Sequence, residues 1–140
     1  MKQIFTSQSA EETARIAGEF ASTLQEGQTV FLCGELGAGK TAFVKGVAHA
    51  YGIDPDCVLS PTFMLMRSYE GSKRIVHCDL YRLESVEEAY ESGIIEALTS
   101  GQSVNFVEWA GAVEGVVTCD YTVTITKNPD LSRNIEIEQA

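Results

Sequence analysis

A chain of 140 residues, 44% hydrophobic and 21% charged, holds one core of ordinary size and has no room for a second full domain. Ten basic against twenty acidic side chains give a formal net charge of −10, with a pI near 4.5. That balance argues against direct capture of RNA or DNA, which depends on neutralising phosphates with Lys and Arg, and fits solubility or a basic protein partner.

Ser9-Ala10-Glu11-Glu12 is a capping box, and Ile16, Ala17, Phe20, Ala21 and Leu24 follow it at helical spacing until Gly27. Thr29 to Cys33 is a short unbroken apolar run, the pattern of a strand covered on both faces in a parallel sheet. A glycine-rich loop leads into a second helix from about Lys40, with Phe43, Val44, Val47, Ala48 and Tyr51 as its buried stripe and Gly52 at its end. Asp54-Pro55 opens a loop reaching Ser60-Pro61-Thr62. Phe63 to Tyr69 and Arg74 to Asp79 read as two strands joined at Glu70-Gly71-Ser72-Lys73 into an antiparallel hairpin. Glu84 to Leu98 is helical in composition but broken at Gly93, which predicts two short helices. Ser103 to Trp109 is another apolar strand. Tyr121 to Thr126 and Arg133 to Glu138 alternate with period two around Asn128-Pro129-Asp130, a second hairpin signal. The expected fold is α/β: a single-domain, P-loop NTPase-like three-layer sandwich over residues 1–140, its parallel central sheet extended by antiparallel hairpins.

Gly34-Glu35-Leu36-Gly37-Ala38-Gly39-Lys40-Thr41 fits GxxxxGK[ST] at every fixed position, between an apolar strand and an amphipathic helix. The small residues Gly37, Ala38 and Gly39 let successive backbone N–H groups of the loop, from Glu35 and Leu36 onward, face phosphate oxygens. The helix start adds its dipole, Lys40 a point charge for the β- and γ-phosphates, and Thr41 a hydroxyl for Mg2+. Such a site needs an acid at a nearby strand end. Asp79 follows Ile75 to Cys78, and Glu108 follows Val104 to Val107. One would hold the metal and the other orient the attacking water; spacing does not assign them. Thr62 is either a turn residue after Pro61 or part of a loop that senses nucleotide.

Cys33, Cys57, Cys78 and Cys119 show no CxxC spacing, and His49 and His77 complete no zinc pattern. Cys33, Cys78 and Cys119 lie in or beside apolar runs, which predicts buried free thiols and a reducing compartment. The first residues lack an apolar signal core and no run approaches spanning length, so the expected setting is cytoplasmic, without membrane contact. His77 reads as a packed strand residue, and Tyr81 and Trp109 as core aromatics with a polar edge. Arg82 has three readings: a phosphate contact, a docking residue, or a salt bridge with Glu84.

The P-loop, together with Ser60-Pro61-Thr62-Phe63, His77-Cys78-Asp79-Leu80-Tyr81-Arg82-Leu83 and Val107-Glu108-Trp109, resembles the TsaE (YjeE) family over nearly the whole chain. That resemblance implies an ATP-binding, ATP-hydrolysing subunit that works with TsaB and TsaD. Those partners attach threonylcarbamoyl to the adenosine beside the tRNA anticodon, so contact with tRNA is indirect. It implies Thr41 and Glu108 as Mg2+ ligands, Asp79 as a catalytic acid near the γ-phosphate beside Lys40, and Thr62 on a switch-like loop. One departure is Ala110-Gly111 after Trp109, where the family commonly carries a further Glu. The P-loop alone also admits a small-molecule kinase, although Arg67, Arg74, Arg82 and Arg133 are dispersed rather than grouped as in a lid, or a non-hydrolytic nucleotide-gated adaptor.

Overall fold

The computed structural model describes residues 2–35, 37–61 and 65–140. In chain order the elements are β1 (Lys2–Ser7), α1 (Ala10–Ala21), β2 (Thr29–Cys33), α2 (Lys40–Ala50), β3 (Met66–Tyr69), β4 (Ile75–Asp79), α3 (Val86–Glu91), α4 (Ile94–Thr99), β5 (Val104–Glu108), β6 (Tyr121–Lys127) and β7 (Arg133–Gln139). Short 3-10 turns occupy Pro55–Cys57 and Ala110–Val113.

Among the described residues seven strands join one mixed sheet in the order β1-β7-β6-β2-β5-β4-β3. The centre, β6-β2-β5-β4, is parallel. Antiparallel pairs extend it on both sides: β3 on β4, β7 on β6, and β1 on β7. Both expected hairpins and the break between α3 and α4 at Gly93, which holds a left-handed conformation, are present. The strand expected over Phe63 to Tyr69 begins at Met66 among the described residues, while Phe63 lies outside them. Strand β1 has no counterpart in the sequence reading. Its residues are largely exposed and among the described residues its partner strand is β7, at the far end of the chain, so local periodicity carries little trace of it.

Alternation along the strands separates two apolar clusters. Val30, Leu32, Ile75, Val104, Phe106, Val123 and Ile125 face α1 and α2. Val76, Cys78 and Val107 point the other way, toward Ala89, Ile94, Ile95 and Leu98 of α3 and α4. Ser9 caps α1 by accepting from the Glu12 N–H, as the capping box requires. Asn105 is buried in β5 yet satisfied: its amide donates to Thr29 Oγ1 and the Leu98 carbonyl, and its oxygen accepts from Ser103. A one-residue slip between β2 and β5 would strand that amide, so it specifies register as well as packing.

Helices α1 and α2 touch closely at Gly46, where an added Cβ would stand 2.3 Å from the Ala14 carbonyl oxygen. Gly46→Ala is therefore expected to destabilise the fold by about 1–3 kcal/mol through overpacking, read from the midpoint of urea denaturation. On the same helix pair the buried Tyr51 hydroxyl donates to the Ala21 carbonyl at 2.9 Å, and burial pushes its pKa up to about 12. The unfolded chain loses that proton near pH 10, so wild-type stability falls as pH climbs from about 10 toward 12. Tyr51→Phe should cost about 1 kcal/mol at neutral pH and remove this residue's share of the alkaline decline, as measured by denaturation at several pH values.

Candidate functional site

The loop between β2 and α2 leaves the strand at Gly34, whose φ is +152° and whose Cα passes so close to β6 that a Cβ would lie 2.6 Å from the Ile125 carbonyl oxygen. Glycine is required there on both counts. Serines cap α1 and α3, but α2 begins at Gly39 with no side-chain cap, so its first N–H groups face no acceptor from the cap residue. Ala38 is buried, Glu35 and Gly37 are exposed, and Thr41 is half-buried in the first turn of α2. Leu36 and Thr62 lie outside the described residues.

Lys40 is nearly buried, and its ammonium is held from three sides. Nζ donates to the Gly34 carbonyl at 2.7 Å, stands 3.3 Å from Glu108 Oε1, and lies 5.7 Å from the centre of the Trp109 ring. Glu108 closes β5 and pairs in register with Leu32 on one side and Asp79 on the other, so both acids sit at the carboxyl edge of the sheet. Each is only 5% exposed. The remaining Glu108 oxygen, Oε2, is 2.7 Å from His77 Nε2. Burial acts to raise the Glu108 pKa, but the hydrogen bond and charge of His77 together with Lys40 outweigh it and hold the carboxyl below its usual range. An ionised carboxylate only accepts, so His77 Nε2 is the donor. Asp79 Oδ1 accepts from the Tyr81 N–H at 3.0 Å, which folds the chain sharply after β4.

Two placements depart from the sequence reading, and that of His77 goes beyond it. His77 is packed, being fully buried, but it also bonds the site acid. Tyr81 and Trp109 are not core residues: they are 66% and 53% exposed and meet edge to face, ring centres 5.1 Å apart. Trp109 takes a left-handed φ of 55°, which ends β5 and turns the ring over Lys40, a conformation no apolar run forecasts. Both rings line an open cleft of about 590 Å3 with Phe31, Leu80, Val107 and Ala110.

Arg133 was absent from the site inferred by sequence. From the first position of β7 its Nε donates to the Ala38 carbonyl at 2.8 Å and a terminal nitrogen reaches the Gly37 carbonyl at 3.4 Å. In a trans peptide the carbonyl and the following N–H point opposite ways, so holding the Ala38 carbonyl fixes the direction of the Gly39 N–H. Only the return of the β6–β7 hairpin brings this residue to the loop, 95 positions earlier in the chain. Among the described residues there is no group of three or more His, Cys, Asp or Glu that could enclose a metal. One hydroxyl and one carboxylate suit Mg2+ instead, which is ordinarily held by few protein groups and completed by phosphates and water.

Comparison with known proteins finds a family and a related fold. The family model described as threonylcarbamoyl adenosine biosynthesis protein TsaE matches residues 7–135. A tRNA threonylcarbamoyladenosine biosynthesis protein TsaE of Treponema pallidum is 40% identical over 134 residues, covering 96% of this chain and 97% of that one. Its namesake in Aquifex aeolicus is 36% identical over 132 residues, covering 93% and 91%. The crystal structure of Bacillus subtilis YdiB superposes with a TM-score of 0.77 at 29% identity, over 99% of this chain and 86% of that one.

All four cysteines are free thiols, but only Cys78 is buried; Cys33 and Cys57 are exposed and Cys119 is intermediate, contrary to the expectation of burial for Cys33 and Cys119. Burial, with the Asp79 charge, pushes the Cys78 thiol up to about 12, and partial burial with Cys119 raises that of Cys33. Since the thiolate is the reactive form, alkylation at pH 8 should label Cys57 first, Cys33 more slowly, and Cys78 only after denaturation, as resolved by peptide mass spectrometry.

Proposed function

The chain belongs to the TsaE family of tRNA threonylcarbamoyladenosine biosynthesis proteins, and from that membership we propose that it is a slow Mg2+-dependent ATPase of P-loop NTPase-like fold, stimulated by the TsaB–TsaD pair. Residues 1–140 act as one P-loop ATPase domain, and contact with tRNA comes only through the partners. The work is done in the cytoplasm; among the described residues no helix is long and apolar enough to cross a membrane.

The observation that carries this reading is the buried cation at the start of α2, already paired with an ionised acid at the sheet edge. The loop amides from Glu35 to Thr41, Leu36 included, bind the β- and γ-phosphates, and Lys40 exchanges the Gly34 carbonyl and Glu108 for phosphate oxygens. That exchange frees Glu108 Oε1. Thr41 and Glu108 would then hold Mg2+. Held there, Mg2+ would supply positive charge against the phosphate oxygens. Asp79, in register with Glu108, orients the attacking water, and Thr62 monitors the γ-phosphate from its loop. Arg133 keeps the loop in its binding shape from behind.

Turnover measured with and without purified TsaB and TsaD tests this directly. ATPase activity should be weak alone and rise on adding the partners; a rate indifferent to them counts against the proposal. Lys40→Ala should weaken ATP binding by about 10- to 100-fold, the worth of a charge-assisted hydrogen bond, measured by calorimetry. Asp79→Ala should retain nucleotide binding while turnover drops by about 100-fold or more. Survival of complex function in that non-hydrolysing variant would favour a nucleotide-gated adaptor, and ADP formation that depends on a small-molecule acceptor would favour a kinase.

A further inference from the structure

His77 is 0% exposed on β4, flanked in register by Phe106 of β5 and Arg67 of β3. Its imidazole makes one side-chain hydrogen bond among the described residues, from Nε2 to Glu108 Oε2 at 2.7 Å. The other ring nitrogen, Nδ1, is buried with no partner there. A buried imidazole left half-satisfied is a poor packing choice, because a buried polar atom without a partner costs stability that an apolar side chain of similar size would not. The ring is therefore explained by what Nε2 does.

Glu108 divides its two oxygens between different elements: Oε1 faces Lys40 and Oε2 faces His77. When Lys40 turns to a phosphate, Oε1 loses its cation, and a carboxylate held at one end only is free to rotate about its last bond. The β4 residue prevents this, because it sits on a central strand and does not move with the loop. We propose that His77 is a positioning residue for Glu108: by holding Oε2 through the Nε2–H, it keeps Oε1 aimed at the place Lys40 vacates, where the Mg2+ shell forms. The inference rests on the Mg2+–ATP reading above. Partners that orient ligating carboxylates commonly matter by about 10- to 100-fold in metal affinity or activity.

The tautomer is measurable in the nucleotide-free protein. With two histidines in the chain, His49 and His77, side-chain 15N spectra are simple to assign. His77 should carry its proton on Nε2; a proton on Nδ1 alone overturns the proposal, and this readout needs no variant to fold. His77→Leu and His77→Gln, both checked for folding by circular dichroism, then separate positioning from packing. The Leu variant should bind ATP without Mg2+ as the wild type does, yet need about 10- to 100-fold more Mg2+ for half-maximal turnover with the partners. The Gln variant, whose amide also donates, should recover most of that loss. Wild-type Mg2+ dependence in the Leu variant, or a Gln variant no better than Leu, overturns the role. A wild-type protein that neither binds nor hydrolyses ATP would fail the functional reading instead, and the tautomer result would still stand on its own.

Discussion

The contact between Lys40 and Glu108 ties together the carboxyl edge of the sheet. Removing an ammonium and a carboxylate from water costs several kcal/mol for each, and their attraction offsets this only when the remaining donors and acceptors are also engaged. Here they are. Lys40 has the Gly34 carbonyl and the face of Trp109 as well as Glu108, and Glu108 has His77. The participants come from the loop, from the start of α2, from β4, from the end of β5 and from the residue just beyond it. A charged pair of this kind is stable only while all of those segments hold their places.

Register is what holds them. Leu32 stands beside Glu108 and Asp79 stands beside it on the other strand, so a slip of one residue would turn the carboxylate to the α3–α4 face and leave Lys40 buried alone. The satisfied Asn105 network at the opposite end of β5 opposes that slip. The antiparallel additions also bear on the site. β7 returns Arg133 to the loop carbonyls, and β1 covers the edge of β7 that would otherwise present unpaired backbone groups. The sheet thus does two jobs at once, gathering strand ends where ligands collect in open α/β sheets and bracing the loop from outside.

The arginines bear on the kind of P-loop protein this is. Arg74 is paired with Glu70 on the surface, Arg133 is committed to the loop, and Arg67 lies on β3 opposite His77. Those three do not gather over the site as a kinase lid would. What borders the site instead is an open apolar cleft rimmed by the exposed Tyr81 and Trp109 rings. A site left open on one side, on a chain of net charge −10, is suited to a subunit whose chemistry is completed in an assembly.

The glycine-rich loop, the strand before it, the helix after it and the two acids at strand ends were legible in the sequence, because each is a local pattern. Backbone amides must be unobstructed, so the glycines cluster; a doubly covered strand is mostly apolar, so an acid at its end stands out. Four features were not legible. β1 has weak periodicity and a partner strand at the other end of the chain. Arg133 reaches the loop only through a hairpin return. Trp109 leaves the core because its backbone turns left-handed. His77 looks like any packed strand residue until the β4–β5 register sets its ring against Glu108. Sequence periodicity records which face a residue takes, since that depends on neighbours a few positions away. Which residue it meets there depends on strand pairing between distant segments, and only the tertiary structure decides that.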